Sequence, residues 1–483
     1  MMLRLAMHLL LCVVGILLCV QFSSLYHLTY QELEQEQGQE PEPEPEKKHE
    51  QETFKFKVSE KRMNDEIKHS LSENSTNFLP RVLAIVFPQF HQDAINDRIW
   101  GRGFTGWDNL RKAPLRNRLG QQIPRPTELG YYDYTDVAPR QRHGEFAKGY
   151  GIDGLVFHHY WFYDKEYPGP NLHRPLEKML MDGHPNVSFA LHWCNKDWTN
   201  TWNGKQKSEY QIRVDRNGRK TEGLLQPQFY PASKNETIDH YNFLRQFFLH
   251  PNYIKVNGMP LLMIQVKHPA VFKMFRWLKE LATEDGFKNL YFTVGVIKPH
   301  SHLMPVANVS EAEEFELMKL NRQAERSITH GGADKVFSYP SLSGWGNNSV
   351  MKLPLWCVKD GPGEKFNVKR THDIPGIIIS FDNTPRRPFD EAVIFSTGKP
   401  AEVLENFRKS FHAALYYDAC CFPREKELRM ARKKQDGENF VILNAMNEWE
   451  ESMTLEPSDV FGYRFLEIIR DTKMLISERG CHM

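Results

Sequence analysis

Two acidic residues three positions apart, Glu448 and Glu451, follow an apolar run in Val441-Ile-Leu-Asn-Ala-Met-Asn-Glu-Trp-Glu-Glu451. The run, Phe440 to Leu443, is short enough to be a strand buried on both faces, and it delivers Asn447, Glu448, Trp449, Glu450 and Glu451 to the strand's carboxyl end. Burial raises a carboxyl pKa, while a neighbouring amide or second carboxylate tunes it. One acid then stays protonated while another ionises, which is the division of labour that general acid-base chemistry needs. Trp449 offers an aromatic wall suited to the CH-rich faces of a sugar. A charged loop closing a core strand has the same composition, and the strand-end placement is what favours chemistry.

The elements that must position these groups are legible as apolar runs. Candidate strands are Val82 to Phe87, Gly154 to His158, Ser188 to Trp193, Pro260 to Val266, Leu290 to Val296, Lys335 to Tyr339, Gly376 to Phe381 and Phe440 to Ala445. Helical spacing lies between them, for instance at Thr237 to Leu249 and Pro400 to Tyr416. Strands alternating with helices imply parallel pairing, and eight such units predict an α/β fold, a (β/α)8 TIM-like barrel with long βα loops. A doubly wound open sheet gives the same local pattern. The barrel is favoured because no Gly-x-Gly-x-x-Gly follows a strand and the polar-aromatic clusters follow several strands.

Those clusters are Pro88 to His91 and Trp100 to Asn109 after the first strand, Phe157 to Phe162 after the second, and His192 to Trp198 with Trp202 to Gly204 after the third. Phe381 to Arg387 follows the seventh. Groups at the carboxyl ends of barrel strands meet at one mouth, so these segments are expected to share a site. The candidate substrate-binding residues are His91, Trp107, His159, Tyr160, Trp193, Asn195, Asp197, Trp198, Asp382, Asn383, Arg386, Asn447 and Trp449. Bland alternatives stand beside them: Trp161 and Phe162 suit a core, His158 or His159 suits a satisfied buried histidine, and Asp382 before Asn-Thr-Pro suits a turn.

With Phe87-Pro-Gln-Phe-His91, Gly103-Phe-Thr-Gly-Trp107, Leu129-Gly-Tyr-Tyr-Asp133, His159-Tyr-Trp-Phe162, Asp382-Asn-Thr-Pro-Arg-Arg387, Asn447-Glu-Trp-Glu-Glu451 and Leu455-Glu-Pro457 in hand, the chain resembles the WbsX-type, glycoside hydrolase family 99-like domain. The resemblance covers roughly residues 80 to 475. It implies a (β/α)8 barrel and carbohydrate-active chemistry. It also implies roles: Glu448 as the base that takes a proton from the sugar 2-hydroxyl, so that this oxygen attacks the anomeric carbon, and Glu451 as the acid on the leaving oxygen and then the base on water. Such a route retains configuration and needs no metal, and no cofactor is expected. The chain departs from the common pattern at Gly106, where many members carry Glu, at Lys196 in Trp193-Cys-Asn-Lys-Asp-Trp198, and at Glu450 and Ser452. Lys196 in place of a carboxylate points to a different substrate or one bearing an acidic group.

The amino-terminal 28 residues read as a signal-anchor, since Leu5 to Val20 is almost wholly apolar and the segment extends to Leu25; a cleaved signal peptide is the rival reading. Residues 29–79 read as a disordered stem: 31–52 hold nine Glu against two Lys, a charge of minus seven. A whole-chain charge of +1 then leaves about plus eight elsewhere, too little for a nucleic-acid face. Residues 80–483 form the predicted catalytic domain. Glycosylation acceptors at Asn74, Asn186, Asn235, Asn308 and Asn347 agree with a lumenal domain. Cys12 and Cys19 lie in the anchor; Cys194, Cys357, Cys420, Cys421 and Cys481 form an odd set without Cys-x-x-Cys, so no zinc site is expected.

Together these features predict a single-pass type II Golgi membrane enzyme, anchored by its amino-terminal helix, with a glycan as substrate and no nucleic-acid partner; secretion after signal cleavage is the alternative location. A retaining glycoside hydrolase leads. A WbsX-type glycosyltransferase is the runner-up, although the chain has no Asp-x-Asp and no Gly-rich phosphate loop. An inactive lectin-like module is the third reading.

Overall fold

The computed structural model describes residues 79–199, 224–265, 268–296, 332–338, 374–394, 398–416 and 439–479. Eight strands run parallel: β1 (Arg81–Val86), β2 (Gly154–Phe162), β3 (Phe189–Trp193), β4 (Met259–Ile264), β5 (Tyr291–Val296), β6 (Lys335–Ser338), β7 (Gly376–Ile378) and β8 (Phe440–Asn444). Their buried faces explain why they read as unbroken apolar runs: every residue of β2, β3 and β8 is buried. β2 ends at Phe162 rather than His158, because Tyr160 to Phe162 pair with a short antiparallel strand, Gly169–Asn171. β7 is shorter than expected, ending at Ile378.

The strand order is β6-β5-β4-β3-β2-β1-β8-β7. Consecutive strands are neighbours and the last returns to the first, Arg81 pairing with Phe440 while Leu83 pairs with Gly154. The described residues contain no ladder between β6 and β7, so the expected eight-stranded closure is seen as a parallel sheet with one unpaired seam.

Helices α1 (Ala94–Trp100), α2 (Gly106–Lys112), α3 (Val137–Tyr150), α4 (Arg174–Asp182), α5 (Lys234–Phe248), α6 (Pro269–Glu284), α7 (Pro400–Tyr416) and α8 (Arg464–Arg479) fill the connections. In α5 the Ser233 side chain accepts the Glu236 N–H and starts the helix, and Tyr241, Leu244, Phe247 and Phe248 form its buried stripe. α6 begins with Pro269 and buries Val271, Met274, Phe275, Leu278 and Ala282. Burying each such side chain contributes about 1.5–3 kcal/mol, which is why these stripes outweigh modest helix propensity.

The anchor over 1–28, the stem up to residue 78, Asn74, Asn308, Asn347 and every cysteine except Cys194 lie outside the described residues. Asn186 and Asn235 are exposed. Among the described residues no helix is long and apolar enough to cross a membrane.

Candidate active site

After β8 the chain doubles back through a short antiparallel pair, Asn447–Glu448 against Met453–Thr454, joined by a 3-10 turn over Trp449–Glu451. The turn is pinned on both sides. The Asn447 side chain accepts the Phe87 N–H at 2.8 Å and donates to the Phe87 carbonyl at 3.0 Å and the Tyr132 hydroxyl at 3.1 Å. Trp449 is fully buried, lies 6.2 Å from the Trp107 ring and donates its indole N–H to Glu456 at 2.8 Å. From the β7 side the Asp382 N–H donates to the Glu451 carbonyl at 2.9 Å, and the Ser380 hydroxyl donates to the Ser452 carbonyl.

With Trp449 turned inward, Glu448, Glu450 and Glu451 converge on the guanidinium of Arg386, which ends the 3-10 turn Thr384–Arg386. Arg386 Nη2 meets Glu451 at 2.5 Å, and Nη1 stands 3.8 Å from both Glu448 and Glu450. Gln89 donates its amide to Glu450 at 2.7 Å and to Glu448 at 3.2 Å, and Asn109 donates to Glu450 at 2.5 Å. Burial pushes the Glu448 carboxyl well above its usual range; Arg386 draws it back, and the Glu451 and Glu450 charges push it further up. Burial raises Glu450 too, against Arg386 and the Asn109 hydrogen bond. Burial alone would lower the Arg386 pKa, but the three carboxylates outweigh it and raise it. One cation facing three carboxylates leaves the acids in excess of their counter-charge.

A cavity of about 470 Å³ opens beside this cluster. Its wall carries Glu450, Glu451 and Arg386, and six aromatic rings line it: Phe87, Trp100, Phe104, Tyr160, Trp198 and Phe381. Buried His158 and Cys194 and exposed Lys196 belong to its polar lining. Segments following β1, β2, β3, β7 and β8 therefore meet at one end of the sheet. Another depression, of about 540 Å³, lies along α6; its Lys279 pairs with Asp334 at 3.5 Å and its Glu284 with Lys234 at 2.6 Å.

Of the residues singled out in the sequence, Tyr160, Asp197, Trp198, Arg386 and Glu451 line the cavity. Glu448 does not; it lies behind that wall. His159 is a correction with a clear cause. Because β2 continues to Phe162, side chains alternate across it: His158 and Tyr160 face the cavity, while His159 and Trp161 face α5. There His240 stacks on Trp161 at 4.6 Å and bonds His159 Nε2 at 2.8 Å, and burial lowers the His159 pKa to about 3.

Other candidates are tied by hydrogen bonds within the fold and do not line the cavity. His91 bonds the Pro88 carbonyl at 2.6 Å, Trp107 donates to the Tyr132 carbonyl at 2.6 Å, and Trp193 donates to the Trp161 carbonyl at 3.2 Å. Asn195 donates to the Tyr230 hydroxyl at 3.1 Å, and Asn383 accepts the Val393 N–H at 2.8 Å. Asp382 accepts the Thr384 N–H at 2.9 Å, the self-capping turn its sequence also allowed. Asn447 and Trp449 are the pins already described.

Gln89, Asn109, His158, Lys196 and Glu450 line the cavity or hold its carboxylates without having been singled out as site residues. Each lies inside a polar-aromatic cluster, which was the signal available; what was missing was which face each takes. Among the described residues His158, His192 and Cys194 bring ligand atoms within 4.8 Å of one another. Burial pushes the Cys194 thiol up and the Lys196 ammonium lies nearby, and both oppose a bound cation.

A family model described as glycosyltransferase WbsX matches residues 82–469, which includes every group above. The chain belongs to the WbsX family. The cavity just described is where this WbsX chain gathers its carboxylates. It is 26% identical over 399 residues to the uncharacterized protein WxcX of Xanthomonas campestris pv. campestris, a match covering 81% of this chain and 49% of that protein. The chain thus spans about half the length of the curated relatives it matches. Among solved structures, the family 99 endo-α-mannosidase of Bacteroides thetaiotaomicron is 14% identical with a TM-score of 0.45, covering 82% of this chain and 98% of that one. A family 18 chitinase, ChiB of Flavobacterium johnsoniae, is 9% identical with a TM-score of 0.33, covering 82% and 95%.

Proposed function

We propose that the cavity binds a glycan and that the chain is a retaining glycoside hydrolase with Glu448 and Glu451 as its reacting pair. One observation carries the reading: three carboxylates share one guanidinium at the end of β8, beside a cavity lined by six aromatic rings. Glu448 takes the proton of the sugar 2-hydroxyl as that oxygen attacks the anomeric carbon, and Glu451 protonates the departing oxygen. Water, deprotonated by Glu451, then attacks the anomeric carbon from the other side; the bond from that carbon to the 2-oxygen breaks and Glu448 returns its proton to this oxygen, so two inversions give net retention. Glu451 reaches the cavity directly. Glu448 is held back by Gln89 and engages once a bound ring draws it forward, the tightening that catalytic hydrogen bonds show in substrate complexes.

The second reading is transfer of a sugar from a donor, favoured by the description of the matching family. Incubating the full chain with a mixed glycan panel, with and without nucleotide sugars, separates the two by mass spectrometry. Fragments released without a donor support hydrolysis; mass gain that requires a donor overturns it in favour of transfer.

The strand order, a ring with one seam, supports a closed (β/α)8 barrel. The apolar amino-terminal segment and the exposed acceptors Asn186 and Asn235 support a type II Golgi membrane protein with this domain in the lumen. Glycans at both asparagines, read as endoglycosidase-sensitive mass, would agree; unmodified asparagines in the protein from its native cell would overturn the lumenal placement.

A further inference from the structure

The carboxylate with the most donors in the cavity wall is not one of the reacting pair. Glu450 takes Asn109 at 2.5 Å on Oε1 and Gln89 at 2.7 Å on Oε2, with Arg386 3.8 Å away, and it lines the cavity. Its room is made by Gly106. A Cβ at that position would lie 2.9 Å from Glu450 Oε2 and 2.9 Å from the Phe90 ring, so any side chain there would displace the carboxylate.

The chemistry of this wall is one-sided. The Gln89 amide is divided between Glu450 and Glu448, Asn109 is committed to Glu450, and Arg386 spans all three carboxylates. Each carboxylate oxygen has two lone-pair directions, and the donors named approach Glu450 from the protein. At Glu450 the wall therefore presents an acceptor, and an acceptor selects a donor: a hydroxyl facing it, not an ester, sulfate or carboxylate.

We propose that Glu450 is a substrate-contacting, specificity-determining residue, admitted to the wall by Gly106, that accepts a hydrogen bond from one unsubstituted hydroxyl of the sugar in the cavity. It rests on the cavity being a glycan site and says which kind of ring enters: one whose hydroxyl facing this wall is free. A sugar esterified or deoxygenated there is disfavoured, because it brings no donor to the carboxylate lone pairs that face the cavity.

The test uses the full chain, the oligosaccharide it binds most tightly on an array of defined glycans, and the monodeoxy analogues of that oligosaccharide. Glu450→Gln is expected to bind the parent at least tenfold more weakly. One monodeoxy analogue is expected to lose at least tenfold against the wild type and almost nothing further against Glu450→Gln, the non-additivity of a direct contact. Equal losses for every analogue in both proteins, or undiminished binding of the parent by Glu450→Gln, overturns the proposal. If those results accompany turnover lost in Glu448→Gln and Glu451→Gln, the glycosidase reading stands and only the role of Glu450 falls. If no array glycan binds, both fall. Melting temperatures establish folding, and should Glu450→Gln not fold, Glu450→Asp, which withdraws the charge by one methylene, is expected to give the same pattern.

Discussion

Two buried acidic sites lie within nine residues of each other on the loop after β8 and have opposite characters. Glu456 accepts the Tyr132 hydroxyl at 2.6 Å, the His143 ring at 2.5 Å and the Trp449 indole at 2.8 Å, and its backbone N–H donates to Thr454. Donors match acceptors there and no second carboxylate intrudes, so the side chain is a clamp. The cluster of Glu448, Glu450 and Glu451 has three acids around one Arg386, beside a cavity. The comparison separates structure from chemistry by supply of partners: a buried acid fully provided for fixes its surroundings, whereas acids in excess of their cation keep a proton that can be moved.

The largest effects should fall on the reacting pair. Glu448→Gln and Glu451→Gln are each expected to lower turnover by about a thousandfold, or about 4 kcal/mol of transition-state stabilisation, while glycan affinity is kept. If neither lowers turnover by more than about tenfold, the role assignments are wrong, and a change confined to affinity favours the lectin-like reading.

Glu456→Ala should instead act on stability. It strands the Tyr132 hydroxyl, the His143 ring and the Trp449 indole, and a loss of about 3 kcal/mol is expected in denaturant unfolding. A loss no larger than that of Glu450→Ala, which relieves like-charge repulsion, would erase the distinction between the two sites.

The pH dependence sharpens it further. Burial raises the folded pKa of Glu448 above its usual 4.5, so the protonated side chain favours folding, a contribution fully present below about that value and lost as pH rises through the raised one. Glu448→Gln is therefore expected to melt higher than the wild type at pH 8, with the gap closing towards pH 4. His192 has the reverse sign: burial lowers it to about 3, so its contribution is present above 6.5 and lost as pH falls towards 3. Melting curves of Glu448→Gln and wild type that run parallel across this range would contradict the raised pKa of Glu448.

The smallest effects compare the two faces of β2 and the wall opposite. Trp198→Ala should weaken glycan binding by about 1–2 kcal/mol with little change in melting temperature, since its ring lines the cavity. His159→Ala should cost about 2 kcal/mol of stability and leave affinity alone, because it faces His240 and Phe243. Titration calorimetry beside thermal melts reads both, and interchanged outcomes would mean that the faces have been exchanged.

The scaffold was legible because a strand buried on both sides must be apolar throughout: Phe440 to Leu443 and Val82 to Val86 announce themselves without reference to anything distant. α7 was legible over the same span, Pro400–Tyr416, from its helical stripe. The site was legible only as clusters. His159 and Tyr160 are adjacent and chemically alike in their fitness for a sugar, yet one faces helix and the other cavity, and that assignment hung on how far β2 runs. The added length comes from pairing with Gly169–Asn171, a contact no local pattern around Tyr160 encodes.

What the amino-acid order determined by itself was which segments bury, in what sequence strands and helices alternate, and that carboxylates stand at the end of β8, because those follow from hydrophobic periodicity over a few residues. What only the folded arrangement decided was that Trp449 turns inward and Glu450 outward, that Gly106 leaves room for that carboxylate, and that Arg386, more than sixty residues before Glu451, is the cation all three acids share. Charge and space at a site are sums over neighbours, and neighbours brought from five different strand ends are chosen by the fold.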